Sequence, residues 1–122
     1  MSENPSDKHY DLEERTEEFT ANTANVCNTL PKNTSNIEYI KQVIRSSGSV
    51  ASNYIEANEA LSKKDFLYRI KICRKEAKES AMWLRTLVKT NVQEYHNKLN
   101  ILQNEAVELK KIFSAIINKS GG

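Results

Sequence analysis

The sequence is short of everything that breaks a helix. It holds 3 Gly and 2 Pro in 122 residues, and both prolines, Pro5 and Pro31, come early. Many short strands need frequent turns, and turns draw on Gly and Pro, so the composition argues against an all-β chain. Cysteine is scarce too. Cys27 and Cys73 form no CxxC pair, which speaks against a disulfide framework and suits a reducing compartment. No apolar run approaches the roughly 20 residues that span a bilayer. The polar start MSENPSDKHYD fits neither a signal peptide nor a transit peptide. These absences predict a cytoplasmic protein with no membrane partner.

Reactive chemistry is equally sparse. The two histidines, His9 and His96, stand apart from both cysteines and from any carboxylate at ligand spacing, so no metal site is expected. Glu76 and Glu79 lie one turn apart, but the Glu-x-x-His pairs of a di-iron bundle are missing. No P-loop, dinucleotide-binding loop or nucleophile elbow occurs. Cys73 falls between Ile70 and Ala77 on an apolar face and reads as a small buried hydrophobe, and Cys27 reads similarly. The expectation is a non-enzyme, with no catalytic residue and no cofactor.

What remains is helix material. Hydrophobic residues make up 39% and charged residues 28% of the chain, the balance of one soluble domain with a modest core. Four stretches carry a capping-box spacing, in which two side chains three positions apart satisfy free N–H groups at a helix start. They are Asp11 with Glu14, Ser35 with Glu38, Ser62 with Asp65, and Asn91 with Glu94. Apolar residues of helical period follow each. Leu12, Phe19, Val26 and Leu30 mark a weak first helix, closed at Pro31 because the residue before proline leaves the helical region. Ile37, Ile40, Ile44, Ala51 and Ile55 mark the second helix. Phe66, Ile70, Cys73, Ala77, Ala81, Leu84 and Val88 mark the third. Tyr95, Leu99, Leu102, Ala106, Leu109, Phe113 and Ile116 form a heptad seam in the fourth. Short links make consecutive helices antiparallel. The sequence predicts an all-α fold, an antiparallel up-down-up-down four-helix bundle over residues 11–118. Residues 1–10 read as a flexible arm and residues 119–122 as a disordered tail.

The second helix also carries a polar face. On a helical wheel Arg45, Ser49, Asn53 and Glu56 fall together, roughly opposite the isoleucine stripe. Ser46, Ser47, Gly48, Ser49, Ala51 and Ser52 keep this helix slim, so another backbone can approach it closely. Two readings stand. The polar groups face water as ordinary i,i+4 neighbours, or another helix or subunit covers them and they fix register at some cost in stability.

The net charge is only +2, but it is unevenly spread. Residues 1–35 hold three basic and seven acidic groups, whereas residues 61–90 hold nine basic and three acidic. Along the third helix Lys64, Lys71, Lys78 and Arg85 repeat every seven residues, with Lys75 and Lys89 beside them. This strip spans roughly 38 Å at 1.5 Å per residue. Such a line can neutralise successive phosphates without reading bases, or it can be a solvated face. Another face of the same helix carries Ile72, Glu76 and Trp83, with Tyr68 at its margin. Apolar and aromatic anchors off the core stripe suggest a subunit contact, which Ile101 and Ile112 would extend.

The run IRSSGSVASNYIEANEALSKKDFLYRIKICRKEAKESAMWLRTL, residues 44–87, resembles the 23S rRNA-intervening sequence protein family. Arg45, Ser49, Val50, Asn53, Glu56, Ser62, Asp65, Phe66, Glu79 and Leu84 occupy the places of its pattern, and Leu30-Pro31 fits its break after the first helix. Glu56-Ala57-Asn58 stands where the family often has Ala-Glu-Gly, and the fourth helix matches only in its heptads. The resemblance implies an antiparallel four-helix bundle assembled as a homopentamer, with no known catalytic residues. It favours a covered role for Arg45, Ser49, Asn53 and Glu56. It also implies an RNA setting, since members are encoded within insertions in ribosomal RNA genes, and a relative works with a reverse transcriptase and RNA.

The expected function is that of a non-enzymatic oligomer associating with RNA, DNA or a nucleic-acid-handling protein through Lys64, Lys71, Lys75, Lys78, Arg85 and Lys89. The alternative is a protein-interaction scaffold whose lysines only keep it soluble.

Overall fold

Four long helices form where the apolar periods place them. The computed structural model describes residues 11–122; the arm expected at 1–10, with His9, lies outside the described residues. Helix α1 is Leu12–Cys27, α2 Thr34–Asn58, α3 Lys63–Thr90 and α4 His96–Lys119, with a short 3₁₀ turn at Gln93–Tyr95 leading into α4. At 1.5 Å per residue α1 is about 24 Å long and α3 about 42 Å. The described residues contain no strand.

Side-chain pairs fix the direction of the helices. From Asn36–Asn91 through Ser46–Ser80 to Asn53–Arg69, the α3 partner number falls as the α2 number rises, so these two run antiparallel. Helix α1 packs against α2 and α4, and α3 packs against α2 and α4, which closes a four-cornered bundle with α1 diagonal to α3. Val43, Val50, Ile70, Leu84, Leu109 and Phe113 are completely buried at its centre. Each such side chain contributes about 1.5–3 kcal/mol relative to exposure.

The face of α2 that turns inward is not the expected one. Its buried residues are Asn36, Val43, Ser46, Ser47, Val50 and Ala57. Ile37, Ile44 and Ile55 remain 47%, 38% and 47% exposed, and Ile40 and Ala51 are half-buried. The reason is close packing on both sides. Ser46 faces α3, where its hydroxyl lies 2.7 Å from that of Ser80, and Ser47 faces α1, 3.1 Å from the hydroxyl of Thr20. Buried hydroxyls that pair with each other avoid the cost of lost hydration, and their small volume lets the helices approach. Bulky isoleucines are displaced to the flank.

Smaller shifts occur in α3 and α4. Leu87 rather than Val88, and Ile117 rather than Ile116, are the deeply buried residues near the helix ends. A straight helix has 3.6 residues per turn, so a strict 3.5-residue seam drifts off the core after a few turns.

One of the four expected caps forms as read. Ser62 accepts from the backbone N–H of Asp65 at 3.1 Å. Asp11 occupies the N-cap of α1 without a side-chain cap bond, although Glu13 and Glu14 in the first turn favour its positive end. Helix α2 is capped by Asn33, whose side chain accepts from Asn36 N–H at 2.9 Å, and not by Ser35. Asn91 ends α3 instead of starting α4, because its side chain is engaged with Asn36 and with the Leu87 carbonyl. Where a disordered tail was expected, α4 closes with Gly121 at φ +73° and bonds from Gly121 N–H to Asn118 and from Gly122 N–H to Ile117. That is the left-handed glycine close of a Schellman motif.

Candidate nucleic-acid interface

Helix α3 presents its charge on the outer face because its opposite face is spent on Ile70, Cys73, Ala77 and Leu84. Lys64, Lys71, Lys75, Lys78, Arg85 and Lys89 are all exposed. Among the described residues none of the six forms an ion pair. Their charges are therefore available to an external anion, although Lys75 lies close enough to Glu79 for its charge to be felt there. Arg69 stands two residues before Lys71, near the opposite side of the helix, and is engaged within the chain. Arg69 donates to the side-chain oxygen of Asn53 at 2.9 Å and its guanidinium lies 5.7 Å from the Tyr68 ring centre.

The polar face of α2 meets α3 within the same chain. Arg45 donates to Glu76 at 3.0 Å and also to Glu79, while its own side chain stays half exposed. Asn53 donates to the hydroxyl and carbonyl of Ser49, both at 2.9 Å. Ser49 and Asn53 are half-buried and Glu56 is exposed. The hydrogen bond to Glu79 is the main cause that raises the Arg45 pKa above its ordinary value. Burial alone would raise the Glu79 carboxyl, but hydrogen bonds from Trp83 and Arg45, with the charges of Arg45 and Lys75, reverse the sign and lower it. Glu79 stays ionised here.

Of the residues expected at a subunit contact, Tyr68 is exposed and Ile72 is half-buried. Glu76 is buried inside the chain, beneath Arg45, and so does not stand on an open face. Trp83 is half-buried, stacks on Tyr39 with ring centres 5.6 Å apart, and donates to Glu79 at 3.0 Å. The indole is thus already engaged between α2 and α3. The larger open apolar line is Ile37, Ile44 and Ile55 on α2, with Ile101 exposed on α4.

Two interactions escaped the sequence reading. Arg15 makes a two-pronged bond to Glu105, 2.8 Å at each oxygen, and ties α1 to α4 across ninety positions of sequence. Asn36 and Asn91 pair through their amides at the start of α2 and the end of α3. Arginine, glutamate and asparagine are common enough that nothing local marks these four as partners.

The cysteines are free and buried. Burial pushes the Cys27 thiol up to about 11 and the Cys73 thiol up to about 12. Among the described residues no three His, Cys, Asp or Glu side chains gather as a metal set, and no helix is long and apolar enough to cross a membrane.

A family model for the 23S rRNA-intervening sequence protein matches residues 8–115, which carries the likeness through most of α4. No curated protein matches the chain. Among solved structures, a protein of unknown function from the S23 ribosomal protein family of Bacteroides thetaiotaomicron VPI-5482 is similar at 28% identity. The similarity covers 87% of this chain and 97% of that one, with a TM-score of 0.73.

Proposed function

Since the chain belongs to the 23S rRNA-intervening sequence protein family, we propose that it is a non-catalytic, self-associating helical bundle that holds RNA or DNA by the phosphate backbone along α3. The observation that supports this is the line of six exposed cations, none of which forms an ion pair among the described residues. Lysine and arginine on one straight helix neutralise phosphates and release counterions, which makes binding steeply dependent on salt. Self-association is supported by Ile37, Ile44 and Ile55, which leave an apolar line on α2 open to water. A ring of copies, a pentamer on the family resemblance, would repeat the basic strip and raise its avidity.

The test is a binding titration against labelled nucleic acid across a salt series, for the protein and for a Lys71→Glu, Lys75→Glu, Lys78→Glu variant. Six phosphate contacts imply an affinity loss of about a thousandfold between roughly 50 and 200 mM salt. The variant should lose binding while keeping its solution mass. Retained binding in the variant overturns the role of the strip. For self-association, Ile44→Asp should shift the mass measured by light scattering towards the single chain; an unchanged mass sinks that face as the contact.

The second reading, a scaffold that binds other proteins, draws on the same isoleucine line. It predicts no binding of nucleic acid even at low salt.

A further inference from the structure

Resting on the phosphate-binding reading above, the structure narrows the ligand class. We propose that the α3 strip takes double-helical nucleic acid, laid along or across its phosphate rows, and discriminates against single strands.

Three features of the strip carry this. Its backbone is held in place, because all six cations sit on one unbroken helix, Lys63–Thr90, buttressed on its inner side by α2 and α4. Lys64, Lys71, Lys78 and Arg85 recur every seven residues, about 10.5 Å apart at 1.5 Å per residue. A fixed row of charges with that spacing suits a ligand whose phosphates are themselves fixed, and groove edges roughly 6–12 Å apart provide such rows in duplex DNA. A flexible single strand has no spacing to match and must be immobilised at an entropic cost.

The strip also stands on the outer face of its helix. Three clefts among the described residues lie elsewhere: between α1 and α4 around Arg15 and Glu105, at the α1–α2 turn by Pro31 and Ile37, and at the α2–α3 turn by Glu59 and Leu61. None of these is lined by a residue of the strip. Single-strand binders track the backbone in a charged groove, whereas these cations stand on the outer face of a helix.

Finally, the strip has a single exposed ring beside it, Tyr68, between Lys64 and Lys71. The side chains further along among its cations include Met82 and Thr86, both half-buried, and the Tyr68 ring has the Arg69 guanidinium 5.7 Å from its centre. Stacking on aromatics supplies about 1–3 kcal/mol per base to single-strand binding. One ring offers successive unpaired bases little stacking, whereas a duplex keeps its bases stacked inside and presents its phosphate rows outward. Contacts from this row to phosphates carry no sequence information, so the preference is for shape and charge rather than sequence.

The decisive experiment titrates the full-length protein, by fluorescence anisotropy, against strands of about 20 nucleotides at roughly 100 mM salt. The arms are single-stranded RNA, duplex RNA of the same sequence, duplex DNA, and a scrambled duplex of each. The expected result is about tenfold or tighter binding to duplex than to single strand, with scrambled and original duplexes equal. A difference between the RNA and DNA duplexes identifies which helix form the strip fits. Single strands bound as tightly as duplexes would overturn this inference and leave the phosphate-binding reading intact. Failure of every arm overturns both. A Lys71→Gln, Lys78→Gln variant should lower duplex affinity several-fold; unchanged duplex affinity with native helicity would place the duplex on another face.

Discussion

Asn36 and Asn91 exchange their amides: each side-chain nitrogen donates to the other's oxygen, at 2.9 and 2.8 Å, where α2 begins and α3 ends. Their remaining donors go to the carbonyls of Pro31 and Leu87. The pair therefore fixes the α1–α2 turn, the start of α2 and the end of α3 at one point. Asn36 is fully buried and Asn91 half-buried, so Asn36→Ala leaves the Asn91 amide without its partner and should cost about 1–3 kcal/mol. The urea midpoint reads this directly, and an unchanged midpoint would show that water replaces the lost amide.

Gly48 sits in the interior of α2, where glycine weakens a helix by about 0.5–1 kcal/mol relative to alanine. A Cβ at this position would lie 3.8 Å from the Thr20 hydroxyl oxygen, an ordinary contact. Gly48→Ala should therefore raise stability by about that amount. A lower melting temperature would mean that α1 and α2 pack more tightly than this distance allows.

Glu79 gives the bundle an acid sensitivity of known sign. Its folded pKa is lowered, so the unfolded chain binds the proton more readily. The stability it contributes is present above the ordinary carboxylate range and is lost as pH falls through the lowered folded value. Arg45→Ala removes two of the causes of that shift and should flatten the decline. Denaturant midpoints measured from neutral pH down through the carboxylate range compare the two proteins; parallel curves would rule out this ion pair as the source.

The thiols behave oppositely. Cys27 and Cys73 are raised to about 11 and about 12, so both are protonated and shielded at neutral pH. A thiolate-selective reagent should label the native protein slowly and the urea-unfolded protein at once. Stability should also fall as pH climbs above the ordinary thiol value towards the raised ones, since the unfolded chain loses those protons first. Rapid labelling of the native state would contradict the burial of both.

The sequence carried the helix count because period and breakers are local properties, and α4 shows it best: five of its seam residues, Leu99 to Phe113, are fully or nearly buried. The inward face of α2 was not legible. Isoleucine outranks serine on any hydrophobicity scale, yet the tight contacts to α1 and α3 select small side chains whose hydroxyls satisfy one another across the interface. The basic strip was legible because cations on the outer face need no partner to be placed. Arg45 was recognisable as part of a polar face, but its anchors Glu76 and Glu79 lie on another helix, and pairing across helices follows from tertiary geometry alone.

Helix α1 has 16 residues against 28 in α3, and a helix of that length is marginal in water once it leaves its neighbours. Its polar ties, the Arg15–Glu105 fork and the Thr20–Ser47 hydroxyl contact, are part-buried. Amide hydrogens of α1 should accordingly exchange through a local opening that leaves α2, α3 and α4 closed. Because α1 and α3 occupy opposite corners, this opening is uncoupled from the charged edge of the molecule. The bundle can lose its first helix for a moment, and offer Phe19 and the core beneath it, without disturbing the line of lysines on the far side.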